Sequence, residues 1–157
     1  MIEKENDGIL FVCLGNICRS PTVEAVVRAE FARAGLDVAV ASCGTGDWHV
    51  GQGADPRAAR AGAEAGYDLS LHCARQLRPD DFARHRMVLA MDRSNLADLR
   101  AMCPPELRSR VGLFLEVAGV APPSEVPDPY QGGAEDFARV ITLARRGAQG
   151  LVELLRE

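Results

Sequence analysis

Two hydrophobic periods run along this chain. Ile9 to Val12 is an unbroken apolar run, the pattern of a strand buried on both faces. Val23, Val26, Val27 and Phe31 then recur at helical spacing, so Pro21 to Ala34 reads as an amphipathic helix with Gly35 at C′. Leu36 to Ser42, with Val38 and Val40 in alternation, reads as a second strand, and strand-helix-strand at this length implies a parallel pair. Asp55-Pro56-Arg57 opens a helix that runs to Ala65 and ends at Gly66. Ser70 to Leu77 reads as a helical segment and Asp80 to Phe82 as a short turn or helix. Arg86 to Met91 is the third strand; Asp92-Arg93-Ser94-Asn95 then starts a helix to Met102, stopped by Pro104-Pro105. Val111 to Leu115 is the fourth strand. Phe137, Val140, Ile141, Leu143, Leu151, Val152, Leu154 and Leu155 form the stripe of a last helix, Ala134 to Arg156. With no repeat, linker or low-complexity segment, residues 1–157 read as a single domain.

The chemistry gathers where the first strand meets the first helix, in Cys13-Leu14-Gly15-Asn16-Ile17-Cys18-Arg19-Ser20-Pro21. Gly15 and Asn16 are the residue types that most easily take positive φ. Ser20-Pro21 offers an N-cap and a first helical residue. Between strand and helix, the loop amides and the helix N-terminus can converge into a nest for a tetrahedral anion. Cys13 stands at its mouth, where those donors and the Arg19 charge would stabilise a thiolate. Arg19 can also grip two phosphate oxygens at once. A phosphoryl group with a nucleophile beneath it is the implied arrangement. The Cys-x5-Arg spacing alone is weak; the strand before, Gly-Asn within and Ser-Pro after give it meaning.

Two later loops add to this. Cys43 to Gly51 is glycine-rich, follows the second strand, and holds the sole tryptophan, Trp48, a candidate wall for an aromatic ring. His49 beside it reads as structural or solvated. Between the last strand and the last helix, Asp128 sits between Pro127 and Pro129 in a stiff loop. A carboxyl group fixed in that way can give a proton to a departing oxygen and then take one from water. Tyr130, two residues on, could flank the leaving group.

Composition narrows the setting. The 157 residues suffice for one substantial core, and 47% hydrophobic with 25% charged residues is ordinary for a soluble protein. A net charge of -4 argues against a nucleic-acid partner. No apolar stretch is long enough to span a bilayer, and the polar segment Met1 to Gly8 does not read as a signal peptide. Five cysteines without small-domain spacing point to reduced thiols and a cytoplasmic location, and no Cys/His group has zinc spacing.

Cys13-Leu-Gly-Asn-Ile-Cys-Arg-Ser20, Ser42-x-Gly-Thr45-x-x-Trp48, Met91-Asp92-x-x-Asn95 and Asp128-Pro-Tyr130, in this order, resemble the low-molecular-weight protein tyrosine phosphatases over nearly the whole chain. The resemblance implies an α/β, flavodoxin-like (Rossmann-like) domain, a four-stranded parallel sheet flanked by helices on both faces. It implies hydrolysis of phosphotyrosine in proteins through a phosphocysteine, without cofactor or metal, by a monomer. Cys13 would be the nucleophile, Arg19 the phosphate and transition-state ligand, and Asp128 the acid and then the base. Leu14, Gly15, Asn16, Ile17, Cys18 and Ser20 would complete the phosphate loop, with Ser20 bonded to the Cys13 sulfur. Asn16 and Ser42 would hold that loop in shape, and Trp48 and Tyr130 would line the phenyl slot. Two positions depart from the family's usual pattern: Cys43, a further redox thiol candidate, and Gln131, where many relatives carry a second aromatic residue. Cys18 beside Cys13 suggests a protective disulfide. Rival readings are an arsenate reductase, a phosphoarginine phosphatase and a non-catalytic phosphotyrosine-binding module. The first needs two relay cysteines, for which Cys73 and Cys103 are poorly spaced. The second suits Thr at position 17, where this chain has the apolar Ile17. The third would not need both Cys13 and Asp128.

Overall fold

The run Ile9–Val12 lies where an unbroken apolar strand belongs, inside a sheet covered on both sides. The computed structural model describes residues 7–156; most of the stretch read as lacking a signal peptide, residues 1–6, lies outside them. In chain order the elements are β1 (Gly8–Cys13), α1 (Arg19–Arg33), β2 (Val40–Gly44), α2 (Pro56–Glu64), α3 (Asp81–Arg84), β3 (His85–Ala90), α4 (Arg93–Met102), a 3-10 helix (Pro105–Arg110), β4 (Val111–Leu113), α5 (Phe114–Val117) and α6 (Ala134–Arg156). The four strands are all parallel, in the order β2-β1-β3-β4. The chain therefore reverses its direction of winding between β1 and β3, and the C-terminal ends of those strands frame the crevice where such sheets bind ligands.

Alternate residues of β1 divide the core. Ile9, Phe11 and Cys13 face a cluster built with α1 and α6, while Leu10 and Val12 face Phe82 of α3 and Leu96 and Leu99 of α4. Each large side chain buried there contributes about 1.5–3 kcal/mol. Phe11 meets Phe114 edge to face at 5.3 Å, and α6 lies directly on the Phe114 ring through Gly147.

Several local signals act as read. Asp55 caps α2 by accepting from the Arg57 amide at 2.8 Å, and Asp92 caps α4 by accepting from the Asn95 amide at 2.8 Å. Gly35 takes φ +74° after α1, and α6 has the bounds its stripe predicts.

Other expectations are corrected. The second strand is Val40–Gly44, not Leu36 to Ser42, because its bounds follow its partner: β1 pairs Ile9 with Val40 and Cys13 with Gly44. Ser70 to Leu77 forms no helix; its backbone bonds instead to the rim of β2, with the Gly44 amide donating to Arg75 O and the Leu77 amide to Gly44 O. The third and fourth strands end at Ala90 and Leu113, where their mutual pairing ends, and Phe114 and Leu115 enter α5. The short helix before β3 runs Asp81–Arg84. The first helix begins at Arg19, so Ser20 is not its cap.

A Cβ on Gly147 would fall 2.1 Å from Cζ of Phe114, a ring pinned by Phe11. Gly147→Ala should therefore lower stability by about 1–3 kcal/mol through overpacking, although alanine is the better helix former by ~1 kcal/mol. Urea unfolding measures this, and an unchanged or raised midpoint would show that α6 can shift away without cost.

Candidate active site

The loop from Cys13 to Arg19 turns at Asn16, the one non-glycine residue with positive φ (+58°) among the described residues. A side chain in that region is strained by about 1–2 kcal/mol. Asn16 is held there because every polar atom it has is used. Its amide donates to the Cys13 sulfur at 3.2 Å, and its carbonyl oxygen meets His72 Nε2 at 2.6 Å. Its Nδ2 donates to Ser20 Oγ (2.9 Å) and Ser42 Oγ (3.0 Å), and its Oδ1 accepts from the Arg75 amide (3.0 Å). Ser42 passes the chain of bonds on to Glu24 of α1, donating to Oε1 at 2.6 Å. Arg75 is in turn gripped by both oxygens of Asp81. Burial opposes ionisation of Asp81, but Arg75 and the Arg78 amide override it and hold the carboxyl below its ordinary range.

Cys13 is buried at the floor of this loop, its sulfur 2.9 Å from Ser20 Oγ. Having lost the capping position, Ser20 spends its hydroxyl here. The amides of Leu14, Gly15, Ile17 and Cys18 make no hydrogen bond within the protein among the described residues. With the N-terminus of α1 they form a concave set of donors suited to a tetrahedral anion.

Arg19 is buried at the first position of α1. Its Nη1 donates to Asp92 Oδ2 at 2.6 Å and to Val126 O at 3.2 Å, while Nη2 lies 3.9 Å from Asp128 Oδ2. Nη1 of the guanidinium is thus anchored, and Nη2 lies on the side of Asp128. Asp92 both caps α4 and fixes this arginine, a role sequence reasoning missed although the motif was noted. Asp128 is half exposed and accepts from the Tyr130 amide at 3.0 Å.

A cleft of ≈180 Å³ brings these parts together: Cys13 through Arg19, Trp48, His49, Asp128 and Tyr130 all line it. Ser42 stands behind it, reached through Asn16. His49 bonds Gln52 through Nδ1 at 3.0 Å and forms part of the wall. Arg57 was not legible as part of this region. It donates to Tyr130 O at 2.9 Å, and its guanidinium lies over the rings of Tyr130 (5.2 Å) and Phe137 (4.7 Å). Its hydrogen bonds to Asp55 keep that carboxyl below the usual range. The Asp55 amide donates to Ile17 O at 2.8 Å, which ties α2 to the Cys13 loop.

All five cysteines are free. The Cys18 thiol is pushed up to about 12, first by burial and then by the charges of Asp55, Cys13 and Asp128. Cys43 packs on the opposite face of the sheet from Cys13, among Leu10 and Val12, and burial pushes its thiol up as well. That placement removes it as a partner for Cys13.

An α/β protein with an anion nest at the switch point of its sheet, and a cysteine beneath the nest, is the class defined by fold and site. The chain belongs to the low molecular weight phosphotyrosine protein phosphatase family, whose model matches residues 8–157. It is 41% identical over 154 residues to a low molecular weight protein-tyrosine-phosphatase of Streptomyces coelicolor, covering 95% of this chain and 93% of that one. It is 44% identical over 136 residues to the low molecular weight phosphotyrosine protein phosphatase of Schizosaccharomyces pombe, covering 85% and 86%. The crystal structure of a protein tyrosine phosphatase from Entamoeba histolytica with Hepes in its active site superposes with a TM-score of 0.91 at 34% identity, over 96% of this chain and 97% of that one.

Asn16→Ala should cost about 2–4 kcal/mol, combining left-handed strain with the polar groups left unpaired. Asn16→Gly should cost about 1 kcal/mol less, because it relieves the backbone and loses the same side-chain bonds. Urea unfolding of the two variants separates the contributions; equal losses would mean that the backbone conformation adds nothing.

Proposed function

We propose that this protein hydrolyses phosphotyrosine in proteins through a phosphocysteine at Cys13. The observation that carries the proposal is the shared cleft: a sulfur under converging amides, a half-anchored guanidinium and a carboxyl between two prolines all open onto the same ≈180 Å³. The Cys13 thiolate attacks phosphorus in line with the phenolic oxygen. Loop amides and Arg19 hold the other oxygens as charge gathers on them. The leaving oxygen takes its proton from Asp128. Asp128, now a carboxylate, takes a proton from water as that water attacks the phosphocysteine, and the sulfur leaves as a thiolate stabilised by Ser20. Nucleophile, charge and proton come from side chains, so no step calls on a cofactor or a metal.

Trp48, Tyr130 and Ile17 give the cleft the apolar walls a phenyl ring needs, which favours phosphotyrosine over phosphoarginine. We take residues 1–157 to act as one domain, as a cytoplasmic monomer, on phosphotyrosine-containing proteins and without nucleic acid or membrane. Among the described residues no helix is long and apolar enough to cross a membrane.

Cys13→Ser should reduce turnover of p-nitrophenyl phosphate by more than about 10³-fold while inorganic phosphate still binds. Asp128→Ala should lose about 10²–10³-fold on phenyl esters with poor leaving groups and far less on p-nitrophenyl phosphate. Full activity of the first variant, or an equal loss across leaving groups in the second, contradicts the assignment.

Peroxide tests the neighbouring thiol. Hydrogen peroxide oxidises Cys13 to a sulfenic acid with release of water, and the Cys18 thiol condenses with it to a disulfide and a second water. Mass spectrometry after mild treatment should find the Cys13–Cys18 bond; sulfonic acid at Cys13 alone would rule it out.

A further inference from the structure

Three exposed hydrophobic side chains, Leu14, Trp48 and Met102, converge on a hollow of ≈340 Å³ next to the cleft. Leu77 forms an inner wall, and Asp98 stands on the lining beside Met102. Leu14 and Trp48 line the hollow and the cleft alike, so the two are separated by the thickness of a side chain. The partition is preformed. The Trp48 ring lies so close on Gly46 that a Cβ there would fall 1.9 Å from Cζ3, and the Gly46 amide donates to Leu14 O at 2.9 Å. On the far side, Asp98 and Met102 sit one turn apart on α4. The Asp98 carboxylate has no hydrogen bond or ion pair among the described residues.

We propose that this hollow is a subsite for a basic residue flanking the phosphotyrosine of the substrate, a proposal that rests on the phosphatase reading above. Its apolar walls suit the hydrocarbon stem of arginine or lysine, and the free carboxylate and the indole face suit the cationic head. Continuity with the cleft sets the distance. Residues within two positions of the phosphotyrosine lie within about 7 Å of it along an extended chain. Phosphoryl transfer itself does not use the hollow, so it acts on choice of substrate.

The test uses the whole protein and phosphotyrosine peptides with alanine flanks, replaced singly by Arg, Leu or Glu from two positions before the phosphotyrosine to two after. At one position Arg should raise kcat/KM about 3- to 10-fold over Ala, with Leu giving less and Glu lowering it. The Arg-to-Ala ratio should fall toward one in Asp98→Asn, reverse in favour of Glu in Asp98→Lys, and shrink with added salt. Asp98 is exposed, so both variants should fold, and each ratio is taken within one variant. A panel without an Arg preference, or a preference that survives both variants, overturns the subsite. Turnover of p-nitrophenyl phosphate by the unmodified protein keeps the two readings apart: turnover with a flat panel removes the subsite alone, whereas no turnover of any phosphate ester removes the phosphatase reading and the subsite with it.

Discussion

The site depends on one residue held in a backbone conformation it would otherwise avoid. Asn16 is stable at positive φ only because two serines, a histidine, an arginine amide and the cysteine sulfur all claim its polar atoms. Those partners come from β1, β2, α1 and the 72–75 segment, so the loop keeps its shape only when all four parts are assembled. The alternative, a relaxed loop with several buried polar groups unpaired, costs more than the strain it removes. Turned in this way, the loop leaves the amides of Leu14, Gly15, Ile17 and Cys18 without a partner within the protein among the described residues, a set of donors suited to an anion.

Arg19 does the same for charge. Asp92 and Val126 O both hold Nη1 of its guanidinium, so the group has little freedom to reorient. The arrangement follows from topology. Asp92 leaves the end of β3 and Arg19 follows the loop after β1, the two strands that border the switch point. A buried ion pair of this kind is weak support for stability, and its use here is orientation.

What could be read from the chain was what neighbouring residues decide. Asn16, the Asp55 and Asp92 caps and the long stripe of α6 are local signals, and the structure uses each of them, whereas Gly15, read with Asn16 for positive φ, does not take it. Where residues distant in sequence compete, local rules lose. Ser20 is a good cap by composition, yet Cys13 and Asn16 take its hydroxyl, and the helix starts at Arg19, two residues before Pro21, without a side-chain cap. Ser70 to Leu77 has helix-compatible residues, but the open rim of β2 offers its backbone a better partner. Arg57 reaches Tyr130, and Arg19 reaches Asp92, across 73 positions in each case. No pattern in one sequence marks such pairs; only the sheet order brings them together. The motif after β3 was visible as a resemblance, but the role of Asp92 in steering Arg19 was not.

The segment carrying Asp128 is moored at both ends. Val126 receives Arg19 on its carbonyl and donates its amide to Met91 O at 2.8 Å, and Tyr130 is clasped by Arg57. The carboxyl hangs in a short span between two piers, with a proline on either side of it. Such a span can twist but cannot swing wide. The Asp128 carboxyl therefore already stands within 3.9 Å of the Arg19 guanidinium, with no separate flap needed to carry it there.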